Sequence, residues 1–492
     1  MKLFLAALFA LLGACGSSGS PPCDGEEQPC DSDVDCEGGA CVADPAFAGN
    51  DLDPLTLVCV GDDPVSDVGQ RCEQAGDCAR GICLLAGTCA VPCVEDADCG
   101  DGQRCARSHA RGANTALHPV EACVSIADLP PGGEMQSEVL EGFLTGSNGE
   151  QLDLTPAADT SIFVLEHLAE DAWPAFKNCR SPICVNLLRT RDAEPVVLFD
   201  AGLYGQQWLG NEEPPLNPVA VGTPLVAYES HPTTIMLPNG PRSVLSDSGF
   251  EVELEWEKPG SVRSTRLTRK DPGVLLDLNL FYAGGRDWEP TGSRGPPFLE
   301  DALNHFEEIY EKGAGISIGE VRQFEVGGAM RERLQVVAER YGVLETLPEL
   351  LALSAGSGNP AINLFFVKKI DDAWAISGGT PGPLGMQGTG ASGIAFSTDS
   401  IEDANDLGKI IAHEIGHHLG LFHTSEMEGY VLDPLPDTPE CRIDRDQDGD
   451  GVLIAQECVG FGADNLMFWA LAGAEEITED QAAVLRSALI LH

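Results

Sequence analysis

His413-Glu414-Ile415-Gly416-His417-His418-Leu419-Gly420-Leu421-Phe422-His423 is the stretch on which the reading of this chain turns. Upstream of it and through it, Leu407, Ile410, Ile411, Ile415 and Leu419 recur mostly every three or four residues, the spacing of one apolar helix face. His413 and His417 are four apart, about one turn, so both imidazoles reach the same side of that helix. Gly420 tolerates backbone angles closed to other residues and predicts a sharp turn that ends the helix and swings His423 toward the other two. Three neutral imidazoles with one position left open form the donor set of a catalytic rather than a structural zinc. Glu414 lies beside them, placed to take a proton from water at such a metal. Scattered surface histidines are a poor account of the cluster, because four of the ten His in the chain fall within this stretch. His418 points elsewhere on the helix and is not expected to be a ligand.

Outward from this segment, the 492-residue chain is long enough for two to four folded units. Its 78 acidic residues against 29 basic ones leave a formal charge of −49. Such a field repels phosphate backbones and anionic headgroups, which argues against a nucleic-acid partner or electrostatic membrane docking. Residues 1–14 combine one Lys, a short apolar run and small residues, the pattern of an export signal. Leu12-Gly13-Ala14-Cys15 resembles a bacterial lipobox, which would make Cys15 an acylated N-terminus and residues 15–22 a flexible tether. The expected location is therefore outside the cytoplasm, on an outer membrane or cell surface or secreted, held by lipid rather than by a spanning helix.

Cysteine usage agrees with export: of 18 Cys, 13 fall between Cys23 and Cys123. Cys30, Cys36, Cys41 and Cys59 set a pattern that returns at Cys72, Cys78, Cys83 and Cys89, and again at Cys93, Cys99, Cys105 and Cys123. An Asp precedes the second Cys each time, at Asp35, Asp77 and Asp98. Residues 23–125 therefore read as three small disulfide-stapled units, with Cys23 left over. Residues 135–270 carry short alternating or apolar runs between Gly/Pro/Asn turns, the pattern of an antiparallel β-sandwich-like domain, with Cys179 and Cys184 close enough to staple a loop. Residues 273–492 alternate strands and helices: Val274–Tyr282, Ile316–Val321, Ala361–Val367 and Gly393–Ser397 as strands, and a helix with Leu299, Leu303, Phe306 and Tyr310 on one face ending at Gly313. Gly393–Ser397, directly before the key helix, is the expected edge strand for an extended substrate.

With these motifs in hand, residues 273–492 resemble the metzincin superfamily of zinc peptidases. The histidine stretch is similar to that superfamily's extended zinc signature, and Asn465-Leu466-Met467 resembles its Met-turn, in which Met467 would form an apolar floor under the ligands. The run after His423 is most similar to the pappalysin family, in Asp437-Thr438-Pro439, the Cys441/Cys458 pair and the following Asn-Leu-Met. The resemblance implies an α/β catalytic domain, a zinc ion at His413, His417 and His423, peptide-bond hydrolysis with Glu414 as general base, and a polypeptide substrate. The chain departs from the family where His423 is followed by Thr424-Ser425, and where Met467 is followed by Phe468-Trp469 rather than Asp-Tyr, so no tyrosine is assigned to the transition state.

Between the paired cysteines, Asp446-Gln447-Asp448-Gly449-Asp450-Gly451 and Glu457 fill the fixed positions of a twelve-residue calcium loop, with Val452 offering its carbonyl. Pro434, Pro436 and Pro439 argue against a helix before that loop. Two other functional classes are to be weighed: a surface adhesin carrying an inactive peptidase domain, and a metal-dependent amidase or esterase.

Overall fold

The computed structural model describes most of residues 29–125, the strands alone within 133–269, and most of 273–492; the longest stretches outside the described residues are 1–28, 170–184, 201–232, 238–249 and 378–392. Cys15, Cys23, Cys179 and Cys184 therefore lie outside the described residues, as do the signal and tether. Among the described residues no helix is long and apolar enough to cross a membrane.

The Cys-rich segment pairs its cysteines within units, first to third and second to fourth: Cys30–Cys41 and Cys36–Cys59, Cys72–Cys83 and Cys78–Cys89, Cys93–Cys105 and Cys99–Cys123. The repeated Asp has a shared job. Each closes a turn by accepting from the backbone N–H four residues earlier, Asp35 from Asp31 at 2.9 Å, Asp77 from Glu73 at 2.9 Å and Asp98 from Val94 at 2.8 Å. The buried Arg80 of the second unit bonds Asp33 of the first, so the two are joined by an ion pair as well as by the chain.

Residues 133–269 form two four-stranded antiparallel sheets. With β1 Gly133–Leu144, β2 Glu150–Leu154, β3 Thr160–Ala169, β4 Val185–Asp192, β5 Val197–Asp200, β6 Thr233–Leu237, β7 Phe250–Trp256 and β8 Gly260–Arg269, the orders are β5-β4-β7-β2 and β6-β3-β8-β1.

From residue 273 a five-stranded mixed sheet organises the chain. Its strands are β9 Leu275–Tyr282, β10 Ser317–Glu325, β11 Ala361–Val367, β12 Ala375–Ser377 and β13 Ile394–Ser397, in the order β10-β9-β11-β13-β12. The first four in that order run parallel, and β12 alone is antiparallel, pairing Ala375 with Phe396 and Ser377 with Ile394. β11 and β13 are buried at every position, as strands covered on both faces must be. The strand order corrects one expectation: Ile394–Ser397 is interior, and the edge strand next to it is the three-residue β12.

The two faces of the sheet carry different layers. One holds Leu278, Leu280, Tyr282, Leu364, Phe366 and Phe396 against α1 Pro297–Ala314 and α4 Ala404–His418. α1 runs one residue past the expected stop, because Gly313 packs inside the helix against Ile477 and the left-handed cap is Gly315. The other face holds Phe281, Phe365, Val367 and Ala395 against α2 Gly328–Leu334 and α3 Leu347–Ala352. Leu85, from the second Cys-rich unit, is buried in that second layer, and Ala355 in turn sits among Ile82, Leu84 and Val120 of the Cys-rich core. The disulfide-stapled units are thus seated on the side of the sheet away from α4.

Candidate metal centre

Asp403 starts α4 by accepting from the N–H groups of Asn405, at 2.8 Å, and Asp406, satisfying donors that the first turn leaves open. The apolar face then buries Leu407, Ile410, Ile411, Ile415 and Leu419, as their spacing requires. Gly408 lets α4 touch α1: a Cβ there would stand 2.6 Å from the Ala302 carbonyl oxygen. Tyr310 of α1 donates its hydroxyl to the Ala412 carbonyl at 2.9 Å, one residue before the first histidine. α4 ends at His418, and Gly420, at φ 111°, makes the turn.

The turn brings three rings to one point. The Nε2 atoms of His413 and His417 are 3.1 Å apart, those of His417 and His423 3.1 Å, and those of His413 and His423 3.2 Å. The far side of two rings is pinned: His413 Nδ1 donates to the Leu466 carbonyl at 2.7 Å and His417 Nδ1 to the Leu421 carbonyl at 2.8 Å. Those bonds hold the proton on Nδ1 and turn the Nε2 lone pairs inward. For His423 the Glu426 carboxylate lies 3.0 Å from Nδ1, off the line of an ideal hydrogen bond. Burial and then the neighbouring His423 push His413 down to about 3, and the same causes hold His417 well below its usual value, so both rings are neutral. The inward lone pairs of His413 and His417, with the His423 Nε2 within 3.2 Å of both, make a donor set that a cation would join. Tetrahedral ligands at zinc–nitrogen distances stand about 3.3 Å apart, close to the spacing here. The donor set fits a zinc ion.

Glu414 is the next residue on α4, and burial pushes its carboxyl up to about 7 against the opposing influence of His423 and of the Ser377 N–H, which donates to it. The edge strand therefore ends on this carboxylate. His418 is buried and pushed down to about 4 by burial, and is not among the converging rings.

Met467 is fully buried beneath the site, and its sulfur lies 2.6 Å from where a Cβ at Gly416 would stand, so the glycine makes room for the methionine. The turn carrying it is held from several sides. Asn465 Oδ1 accepts from the Met467 N–H at 2.9 Å, and the Met467 carbonyl accepts from Thr424 at 2.9 Å. Asn465 and the fully buried Gln481, on α5 Glu479–Ser487, exchange reciprocal amide bonds of 2.9 and 3.0 Å. Helical spacing placed Tyr310 on an apolar face, but no local pattern shows that it, Gln481, Glu426 or the Leu466 carbonyl supports the site, since each does so through tertiary contact. Asn465 was noted only as part of a motif.

Of the acidic loop, Asp446, Asp448 and Glu457 bring carboxylate oxygens within 4.8 Å of one another. Asp450 is not in that group; its carboxylate accepts from the Val452 N–H at 2.8 Å. A short 3-10 turn, Ile443–Arg445, leads into the loop, and the Cys441–Cys458 disulfide closes it.

Searched against models of protein families and against curated proteins, the chain matches none.

Proposed function

We propose that the chain is a zinc-dependent endopeptidase of the metzincin type, closest in character to the pappalysins, acting on polypeptides outside the cytoplasm. The observation that carries this reading is the convergence of three imidazole Nε2 atoms to 3.1–3.2 Å with the partly buried Glu414 the next residue on the same helix. A mixed sheet with one antiparallel edge strand, a metal-bearing helix on one face and a methionine turn under it support the same reading.

A zinc ion held by His413, His417 and His423 would supply Lewis acidity toward water and a peptide carbonyl. Glu414 would take a proton as water attacks and return it to the departing amine. β12 presents the sheet edge along which an extended substrate adds as a further strand, with the Ser377 end at Glu414. Phe468 and Trp469 follow Met467, so no tyrosine from that turn assists Glu414.

Asp446, Asp448, Asp450, the Val452 carbonyl and Glu457 are read as calcium ligands, supported by the spacing of the loop, whose ninth position Ile454 offers no side-chain oxygen, and by three gathered carboxylates. Cys15 is read as a lipid attachment site, and the paired cysteines agree with an oxidising exterior.

The test is cleavage of unfolded protein by the purified mature chain, beside Glu414→Gln and with a zinc chelator. Activity lost in both arms supports the endopeptidase. One zinc bound per chain without hydrolysis turns the reading toward the adhesin.

A further inference from the structure

One residue outside the histidine motif joins the segment after the third ligand to the methionine turn. Leu453 is fully buried among Cys441, Cys458, Ala463 and Phe468. Its N–H donates to the Met427 carbonyl at 2.7 Å, four residues beyond His423. Its carbonyl accepts from Trp469 Nε1 at 2.8 Å, two residues beyond Met467. Its side chain also fills the space beside Gly429, where an added Cβ would stand 2.5 Å from Leu453 Cδ1. The two segments it joins bond each other directly only through Thr424 N–H to the Met467 carbonyl, at 2.9 Å, among the described contacts.

We infer that Leu453 is a positioning residue for the metal site: it locks the loop closed by Cys441 and Cys458 against both the His423 segment and the floor beneath the ligands. His423 needs such a lock more than its partners do. His413 and His417 are fixed by one helix and by carbonyls at 2.7 and 2.8 Å, whereas His423 lies beyond the helix and its Nδ1 meets only the off-line carboxylate of Glu426. Its place therefore depends on how residues 424–430 are held, and Leu453 holds them by one backbone bond and by the packing at Gly429. The inference rests on reading the three histidines as a metal site.

The test uses the full mature chain and two readouts that need no peptidase activity: zinc affinity by chelator competition, and the visible spectrum of the cobalt(II)-substituted protein, which reports ligand geometry. Leu453→Ala is expected to lower zinc affinity by about 10- to 100-fold, the usual scale for supports behind metal ligands, and to alter the cobalt bands. Trp469→Phe, which removes only the Nε1–H donor, shifts both in the same direction by less, and Leu453→Met restores most of the affinity. Leu84→Ala, in the Cys-rich core, serves as a control that loses stability and keeps the wild-type spectrum. Wild-type affinity and spectrum in Leu453→Ala overturn the inference; if that variant does not fold, the same result in Trp469→Phe overturns it. A wild-type chain that takes up neither metal overturns the histidine reading as well, which separates the two failures.

Discussion

Gly408→Ala sets two physical effects of opposite sign against each other. Helix propensity alone favours the substitution by about 1 kcal/mol, since glycine inside a helix is poorer than alanine. Contact with α1 opposes it: the new methyl would stand 2.6 Å from the Ala302 carbonyl oxygen and 2.9 Å from His305 Cβ. Ordinary contact begins at about 3.5 Å, so the helices would have to part by up to ~1 Å, and one of the opposing atoms is backbone that cannot rotate away. Overpacking of this kind costs about 1–3 kcal/mol, which leaves a net loss of about 1 kcal/mol once propensity is subtracted. Parting α1 from α4 also strains the Tyr310–Ala412 bond one residue before His413, so zinc affinity should fall with stability. Thermal melting with and without chelator, and chelator competition, measure both. A variant more stable than wild type would refute the argument, because propensity would then have outweighed the helix contact.

Three further outcomes are expected. Glu414→Gln should retain zinc and lose about 10²–10⁴-fold in kcat, the range for general acid–base catalysis; retained turnover removes Glu414 from that role. Asp433 is buried, accepts from Thr438 through one oxygen and has none for the other, and burial pushes it up to about 8. Its folded pKa lies above the unfolded one, so its contribution is fully present below about 4 and is lost as pH rises through about 8, at up to ~1.4 kcal/mol per unit. Asp433→Asn should flatten that part of the stability–pH curve and be the more stable chain at pH 8, and lower stability there would mean a partnered, ionised carboxylate. Gln481→Ala strips the buried Asn465 amide of its reciprocal bonds and should cost about 1–3 kcal/mol in denaturant unfolding, with weaker zinc binding. Unchanged zinc affinity there would detach α5 from the metal site.

The metal helix was legible because its evidence is local: apolar residues at helical spacing, two histidines one turn apart, and a glycine where the chain must turn at φ 111°. The position of Met467 was legible through a motif, but its support was not, since Gln481 comes from another helix, as does Tyr310 behind the histidine helix. The edge strand was misassigned for two reasons. β12 has only three residues, too few to show a period, and lies just before a stretch rich in glycine and proline. Ile394-Ala395-Phe396 is an unbroken apolar run, which is itself the mark of a strand covered on both faces. α2 and α3, of seven and six residues, are likewise shorter than their pattern needs. The repeated cysteines announced pairing within units, while the choice of partners inside each unit was open until the turns closed by Asp35, Asp77 and Asp98 were seen.

The seat of Leu85 on the sheet face away from α4 has a consequence for how the chain meets its surroundings. The Cys-rich units precede the metal helix in the chain and join the sheet from behind it. A molecule fastened by its N-terminal segment would be gripped at its back, with the histidines on the opposite side of the sheet from these units. Attachment through them and access to the three histidines would then be separate matters, and a longer or shorter N-terminal segment would change how far the molecule reaches while leaving these units clear of the histidine face.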